Sequence, residues 1–193
     1  MNYNPTKHHR RSIRLSGYDY SQAGLYFITI CTQKRACLFG EIKDGVMELN
    51  EIGEIAHTEW NRTPEIRNNV ELGDFVIMPN HIHGIIRLLG SNVSPMPPCR
   101  GESHSPNHLD VPRLPIMGVC HTPIPTTQNQ PTIGSIIRGY KSSVAKQIGL
   151  LGFPGKLWHR NYYEHIIRNE KSLIKITEYI INNPLNWDDD SLR

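Results

Sequence analysis

The sequence predicts an α+β fold, a ferredoxin-like βαββαβ antiparallel sheet with two helices on one face and an additional C-terminal helix. Three observations carry this prediction. Four short segments rich in β-branched and aromatic residues have the composition of strands. Two segments with apolar residues at helical spacing separate them in the order strand, helix, strand pair, helix, strand. A third helical segment follows the last strand and is ended by Pro184.

The first strand is expected over residues 25–32, LYFITICT, with Gly24 at its start. A turn follows at Asp44 and Gly45. Asn50 can cap a helix whose Ile52, Ile55, Ala56 and Trp60 share one face, and Pro64 stops that helix or follows its end. Residues 70–78 and 81–89 predict a hairpin joined at Pro79 and Asn80. Between about 91 and 131 the periodicity ceases, and nine of the chain's 14 prolines fall there, so this stretch is expected to be a long flexible insertion. Helical order returns at Thr132, where Ile133, Ile136, Ile137, Tyr140, Val144 and Ile148 mark one face. A loop with Gly149, Gly152, Pro154 and Gly155 leads to a fourth strand over 158–167. The last helix is expected over 170–183, with Leu173, Ile176, Thr177 and Ile180 as its core stripe. Two helices cover only one face of such a sheet, so the other face is expected to be open to a substrate and to the last helix.

A length of 193 residues with 38% hydrophobic side chains is sufficient for one domain without staples, so residues 1–193 are taken as a single domain carrying the insertion. Cys31, Cys37, Cys99 and Cys120 form no C-x-x-C pair and no disulfide framework, as in a protein of a reducing compartment. No apolar run of about 18 residues marks a membrane span and none follows the basic N-terminus, so a soluble cytoplasmic protein with no membrane partner is expected. The net charge of +3 is modest, but Lys7, Arg10, Arg11 and Arg14 gather with His8 and His9 into a basic arm suited to a polyanion.

His81 and His83 stand at i and i+2 on a predicted strand, so both imidazoles point to one face, while Ile82, Ile86 and Leu88 point to the other. On an open sheet face the pair suits a metal, and Gly84 removes bulk beside it. The spacing alone is weak, since a lone His-x-His is commonly two ordinary polar residues near a turn. On the last helix, Tyr179 lies at the edge of the core stripe and Asn183 falls one turn further on the same face. Two imidazoles and an amide oxygen would leave a bound cation with open positions to polarise a phosphate, and a nearby phenol oxygen would be the nucleophile. The bland alternatives are a boundary tyrosine with its hydroxyl in water and a helix-terminal asparagine before Pro184.

Three stretches carry a family resemblance: Arg10 to Thr32 (RRSIRLSGYDYSQAGLYFITICT), Met78 to Ile86 (MPNHIHGII) and Leu157 to Trp187 (LWHRNYYEHIIRNEKSLIKITEYIINNPLNW). Together they resemble the HUH single-tyrosine transposases, most closely the branch of REP-associated tyrosine transposases, over nearly the whole chain apart from 91–131. The resemblance implies a DNA transposase or single-strand endonuclease that cleaves and rejoins hairpin-bearing single-stranded DNA through a 5′-phosphotyrosine. It implies Tyr179 as nucleophile, and His81, His83 and Asn183 as ligands of Mg²⁺ or Mn²⁺. Asn183 stands where many related transposases carry glutamine. It also implies that no nucleotide cofactor is needed, and a monomer or homodimer.

Arg10, Arg11, Arg14, Arg138, Lys141, Arg160 and Arg168 are candidate phosphate contacts, although each alone is more often a solvated charge. Tyr162 and Tyr163 are rival nucleophiles or base-stacking residues, and strand alternation lets only one of them share a face with His165. Cys99, His104, His108, Cys120 and His121 raise a zinc reading of the insertion, but their spacing matches no compact zinc module. Two other functional classes stand beside the transposase: a domesticated hairpin-specific DNA-binding protein without transposition, and a zinc hydrolase with Asp74 or Glu164 as its base.

Overall fold

A computed structural model describes residues 17–90 and 131–193. The basic arm with Arg10, Arg11 and Arg14 lies outside the described residues, as do the zinc reading of the insertion and all of the insertion but Pro131.

The first strand, β1 (Gly24–Cys31), sits inside a four-stranded antiparallel sheet. The small hairpin of β2 (Gly40–Lys43) and β3 (Val46–Leu49) follows, and α1 (Glu51–Asn61) and the single turn α2 (Thr63–Ile66) lead to β4 (Val70–Met78) and β5 (His81–Leu88). The long helix α3 (Ile133–Leu150), β6 (Tyr163–Ile167) and α4 (Glu170–Asn182) complete the order. In the main sheet the strands lie β4-β5-β1-β6, with Gly24 opposite Leu88, Cys31 opposite His81, Thr29 opposite Tyr163 and Met78 opposite His81.

The alternation of β1 and β5 builds two cores. Tyr26, Ile28, Ile30, Ile82, Ile86 and Leu88 point to α1 and α3 and pack on Ala56, Trp60, Ile136, Ile137, Tyr140 and Val144. The Tyr140 hydroxyl donates to the Ala56 carbonyl oxygen at 3.0 Å, and its ring meets the Trp60 ring edge-on at 5.2 Å. A buried carboxylate, Glu59, also ties the two helices, accepting from Ser143 and Gln147 of α3 and from Arg62 at 2.7 Å. On the opposite sheet face a smaller core joins Ile85, Ile167 and Ile180 to Leu25, Phe27, Val76, Leu173 and Ile176, holding α4 against the strands.

The predicted cap forms, the Asn50 side chain accepting from the Gly53 N–H, and Thr132 caps α3 in the same way, its hydroxyl accepting from the Ser135 N–H. The turn expected at Asp44 and Gly45 forms, both residues with positive φ, and the strands it joins, a β-hairpin, are an addition to the expected order. Pro64 follows the end of α1, as expected, and there it opens the single turn α2, where its missing N–H costs nothing. Several expectations are corrected. The fourth strand begins at Tyr163, not at 158, because the Lys141 ammonium takes the carbonyls of His159 and Asn161, both at 2.9 Å, and holds the lead-in against α3. Thr177 is not a core residue: its hydroxyl donates to Asp74 at 3.0 Å. Gly84 makes room on the α1 side of the sheet, where a Cβ would lie 2.5 Å from the Trp60 ring, and not beside the histidines.

Candidate functional site

Strand alternation places His81 and His83 on the α4 side of the sheet, with Cys31 and Thr29 opposite them on β1. α4 closes over that face as expected, but with the segment after it covers the pair completely rather than leaving it on an open surface, with His81 at 0% and His83 at 2% exposure. The cause is tertiary: Ile180 of α4 docks on Ile85, and the Trp187 ring lies 6.2 Å from that of His81.

Each imidazole is fixed through Nδ1. In His83, Nδ1 lies 2.8 Å from the Thr29 hydroxyl, and Nε2 lies 3.2 Å from the Tyr179 hydroxyl. Both hydroxyls can donate or accept, so the roles follow the tautomer: a proton on Nδ1 is donated to Thr29 and leaves Nε2 to accept from Tyr179. In His81, Nδ1 donates to the Asn80 amide oxygen at 2.6 Å, while the Asn80 amide nitrogen donates to the Leu192 carbonyl at 2.8 Å. The lone pair of His81 Nε2 therefore faces into the site. Burial holds both rings neutral at pH 7: it pulls His81 down to about 4 against the opposing charge of Asp190, and His83 down to about 3, helped by His81.

The predicted tyrosine and asparagine come to the same place. The Tyr179 ring centroid is 5.1 Å from that of His83 and 6.2 Å from that of Phe27, with the residue 45% exposed. Burial, and then the charge of Asp190, raises its phenol above the ordinary value, while the Asn183 amide beside it favours the ionised form. Asn183 is buried and its Oδ1 has no hydrogen-bond partner among the described residues.

One site residue escaped the sequence reading. Asp190 Oδ2 lies 3.5 Å from His81 Nε2, and ligand atoms of His81, His83 and Asp190 all fall within 4.8 Å of one another. The only sequence signal was the acidic run Asp188 to Asp190 just beyond the helix, which has no periodicity to orient it. The acidic candidates named instead are elsewhere: Asp74 is engaged by Thr177, and Glu164 pairs with Ile28 and so faces the α1 and α3 core.

Other predicted residues separate by sheet face. Tyr163 pairs with Thr29 and shares the histidine face with His165, at 53% exposure, whereas Tyr162 packs on the large core. Arg160 and Arg168 are exposed on either side of β6. Arg138 is exposed on α3, across the sheet from the histidines, and Lys141 is engaged by two carbonyls, with burial lowering its ammonium to about 8. Among the described residues, no helix is long and apolar enough to cross a membrane.

Comparison with known proteins gives a sequence relative and a structural neighbour. An uncharacterised protein of Haemophilus influenzae is 43% identical over 190 residues, covering 98% of this chain and 96% of the relative. The solved structure of a REP-associated tyrosine transposase bound to a REP hairpin superposes with a TM-score of 0.55 at 17% identity, covering 91% of this chain and 74% of that one. The mixed fold with its antiparallel four-stranded sheet is thus similar to that of a tyrosine transposase. No protein-family model matches the chain.

Proposed function

From the premise that this chain belongs to one family with the Haemophilus influenzae protein, we propose that it is a metal-dependent transposase or nickase acting on hairpin-bearing single-stranded DNA. The observation that carries this reading is the Tyr179 hydroxyl 3.2 Å from His83 Nε2, at the edge of a buried group of unprotonated acceptors. The DNA held by the structural neighbour is a REP hairpin, which supports a hairpin substrate here. The strand order and the two helices on one face support a ferredoxin-like single domain over 1–193, with α4 as the catalytic helix.

His81, His83 and Asn183 would hold Mg²⁺ or Mn²⁺. The residues fit a cation, because His81 Nε2 and Asn183 Oδ1 are buried acceptors lacking any donor among the described residues. When bound, the ion supplies Lewis-acid stabilisation of the charge that develops on the phosphate.

Tyr179 is the nucleophile. Its oxygen attacks a backbone phosphorus, the new bond to tyrosine forms as the P–O3′ bond breaks, and the phenol's proton balances the departing 3′ oxygen as a hydroxyl. Attack by a 3′-hydroxyl on the resulting 5′-phosphotyrosine reverses these changes. One phosphoester replaces another in each step, so rejoining needs no ATP. Thr29 and Asn80 hold the imidazoles in one tautomer, and Phe27 stacks on His83 at 5.3 Å to fix its plane. Arg160 and Arg168, exposed before and after β6, are suited to phosphate contact, and the exposed Tyr163 on the histidine face to base stacking.

Incubation with end-labelled hairpin-bearing single-stranded DNA and Mn²⁺, followed by denaturing electrophoresis, tests the reading. A covalent adduct is expected in the wild type and in Tyr163→Phe, and none in Tyr179→Phe or in EDTA. An adduct that persists in Tyr179→Phe would overturn the assignment.

A further inference from the structure

We infer that Asp190 is a ligand of the divalent cation held by His81 and His83, so that the segment following α4 completes the metal centre. This rests on the reading that the two histidines bind such an ion.

The geometry is specific. The Asp190 side chain is only 3% exposed, and its Oδ2 is turned to His81 Nε2 at 3.5 Å. Its other oxygen, Oδ1, accepts from the Leu192 N–H at 2.7 Å, which leaves Oδ2 as the atom presented to the site. Asn80 orients both partners at once, taking the His81 Nδ1 proton through its oxygen and donating to Leu192 through its nitrogen. Arg35 adds a further tie from the body of the protein, donating to the Ser191 carbonyl at 3.0 Å. The segment is therefore seated on the site at several points rather than resting against it.

His81 Nδ1 is committed to Asn80, so Nε2 is the atom that His81 turns to the site. That atom, Asp190 Oδ2 and Asn183 Oδ1 are then three buried acceptors with no donor among the described residues. Lone pairs facing one another in a dry interior repel, and a buried carboxylate without a counter-charge is costly. A divalent cation between them converts that repulsion into coordination. The ligand chemistry also changes: imidazoles alone favour softer ions, whereas a carboxylate oxygen supplies the hard, anionic donor that Mn²⁺ and Mg²⁺ prefer. Two imidazoles with one carboxylate leave a doubly charged ion with a net positive charge for a DNA phosphate.

Mn²⁺ alone is the probe. Binding to the full chain is measured by titration calorimetry and by loss of the free-ion paramagnetic resonance signal, in the wild type, His81→Ala, Asp190→Asn and Asp190→Glu. Thermal melts in EDTA accompany each. Asp190→Asn is expected to weaken Mn²⁺ binding about tenfold or more, with Asp190→Glu retaining more affinity because it keeps the charge. In EDTA, Asp190→Asn is expected to melt at or above the wild type, since its amide can donate to His81 Nε2. Mn²⁺ affinity unchanged in Asp190→Asn but lost in His81→Ala would overturn the inference and leave the histidine reading standing. A wild type that binds no Mn²⁺ would remove that reading, and the inference with it. An EDTA melt of Asp190→Asn far below the wild type would show Asp190 to be the structural ion-pair partner of a protonated His81, and would also overturn it.

Discussion

At the scale of single residues, the site depends on where two protons sit. His81 gives its Nδ1–H to Asn80, and in the tautomer that gives the His83 Nδ1–H to Thr29 both rings keep Nε2 as a lone pair. Thr29→Val keeps the shape but leaves the His83 N–H unpaired, so we expect a loss of about 1–3 kcal/mol in urea denaturation and a fall of about 10–100-fold in Mn²⁺ affinity by calorimetry. Neutral burial also predicts acid sensitivity. The unfolded chain takes up protons near pH 6.5, whereas the folded state resists until about pH 4 at His81 and about pH 3 at His83. Their contribution to stability is therefore complete above pH 6.5 and is lost as the pH falls towards those lower values, at up to about 1.4 kcal/mol per pH unit for each ring. Metal-free denaturation curves at pH 7, 6 and 5 check this, and His83→Phe should flatten the pH dependence.

At the scale of elements, β5 has different duties on its two faces. Residues 81, 83 and 85 build the site and the α4 contact, while 82, 84, 86 and 88 belong to the α1 and α3 side. Gly84 is where the two duties constrain each other, because the histidine spacing places it directly under Trp60. Gly84→Ala is expected to destabilise by about 1–3 kcal/mol through overpacking, measured by urea denaturation. Trp60→Leu should recover part of that loss if the indole is the obstacle. α4 depends on a smaller contact and a good start. The Asn169 side chain accepts from the Ser172 N–H at 2.8 Å, so Asn169→Ala should cost about 1 kcal/mol and speed amide exchange in the first turn of the helix.

At the scale of the whole molecule, the sheet separates a large structural core from a small one that presents the tyrosine. The small core has three buried members, Ile85, Ile167 and Ile180, and of these only Ile180 comes from α4. Ile180→Ala is therefore expected to release α4 selectively, with faster exchange in 170–182, little change in α1 and α3, and a lower yield of covalent adduct. Equal loss of protection in both layers would contradict this division. The same arrangement explains why the histidine face is closed: the helix and segment that bring Tyr179, Asn183 and Asp190 to the site also exclude water from it.

Much of the architecture followed from local periodicity. The period of two set His81 and His83 on one face with Ile82 and Ile86 on the other, and the period of 3.6 set Tyr179 and Asn183 on one side of a helix, because backbone geometry dictates both without reference to the rest of the chain. The cap at Asn50 was legible for the same reason, since side chain and N–H are three residues apart. Tertiary structure alone decided what depends on contacts between distant residues: the burial of the imidazoles, the space that Gly84 gives to Trp60, the shortening of β6 by Lys141, and the arrival of Asp190 beside His81. An aperiodic segment carries no internal signal of the surface it will meet, because that choice is made by packing and hydrogen bonds across more than a hundred residues of chain, as between Asn80 and Leu192.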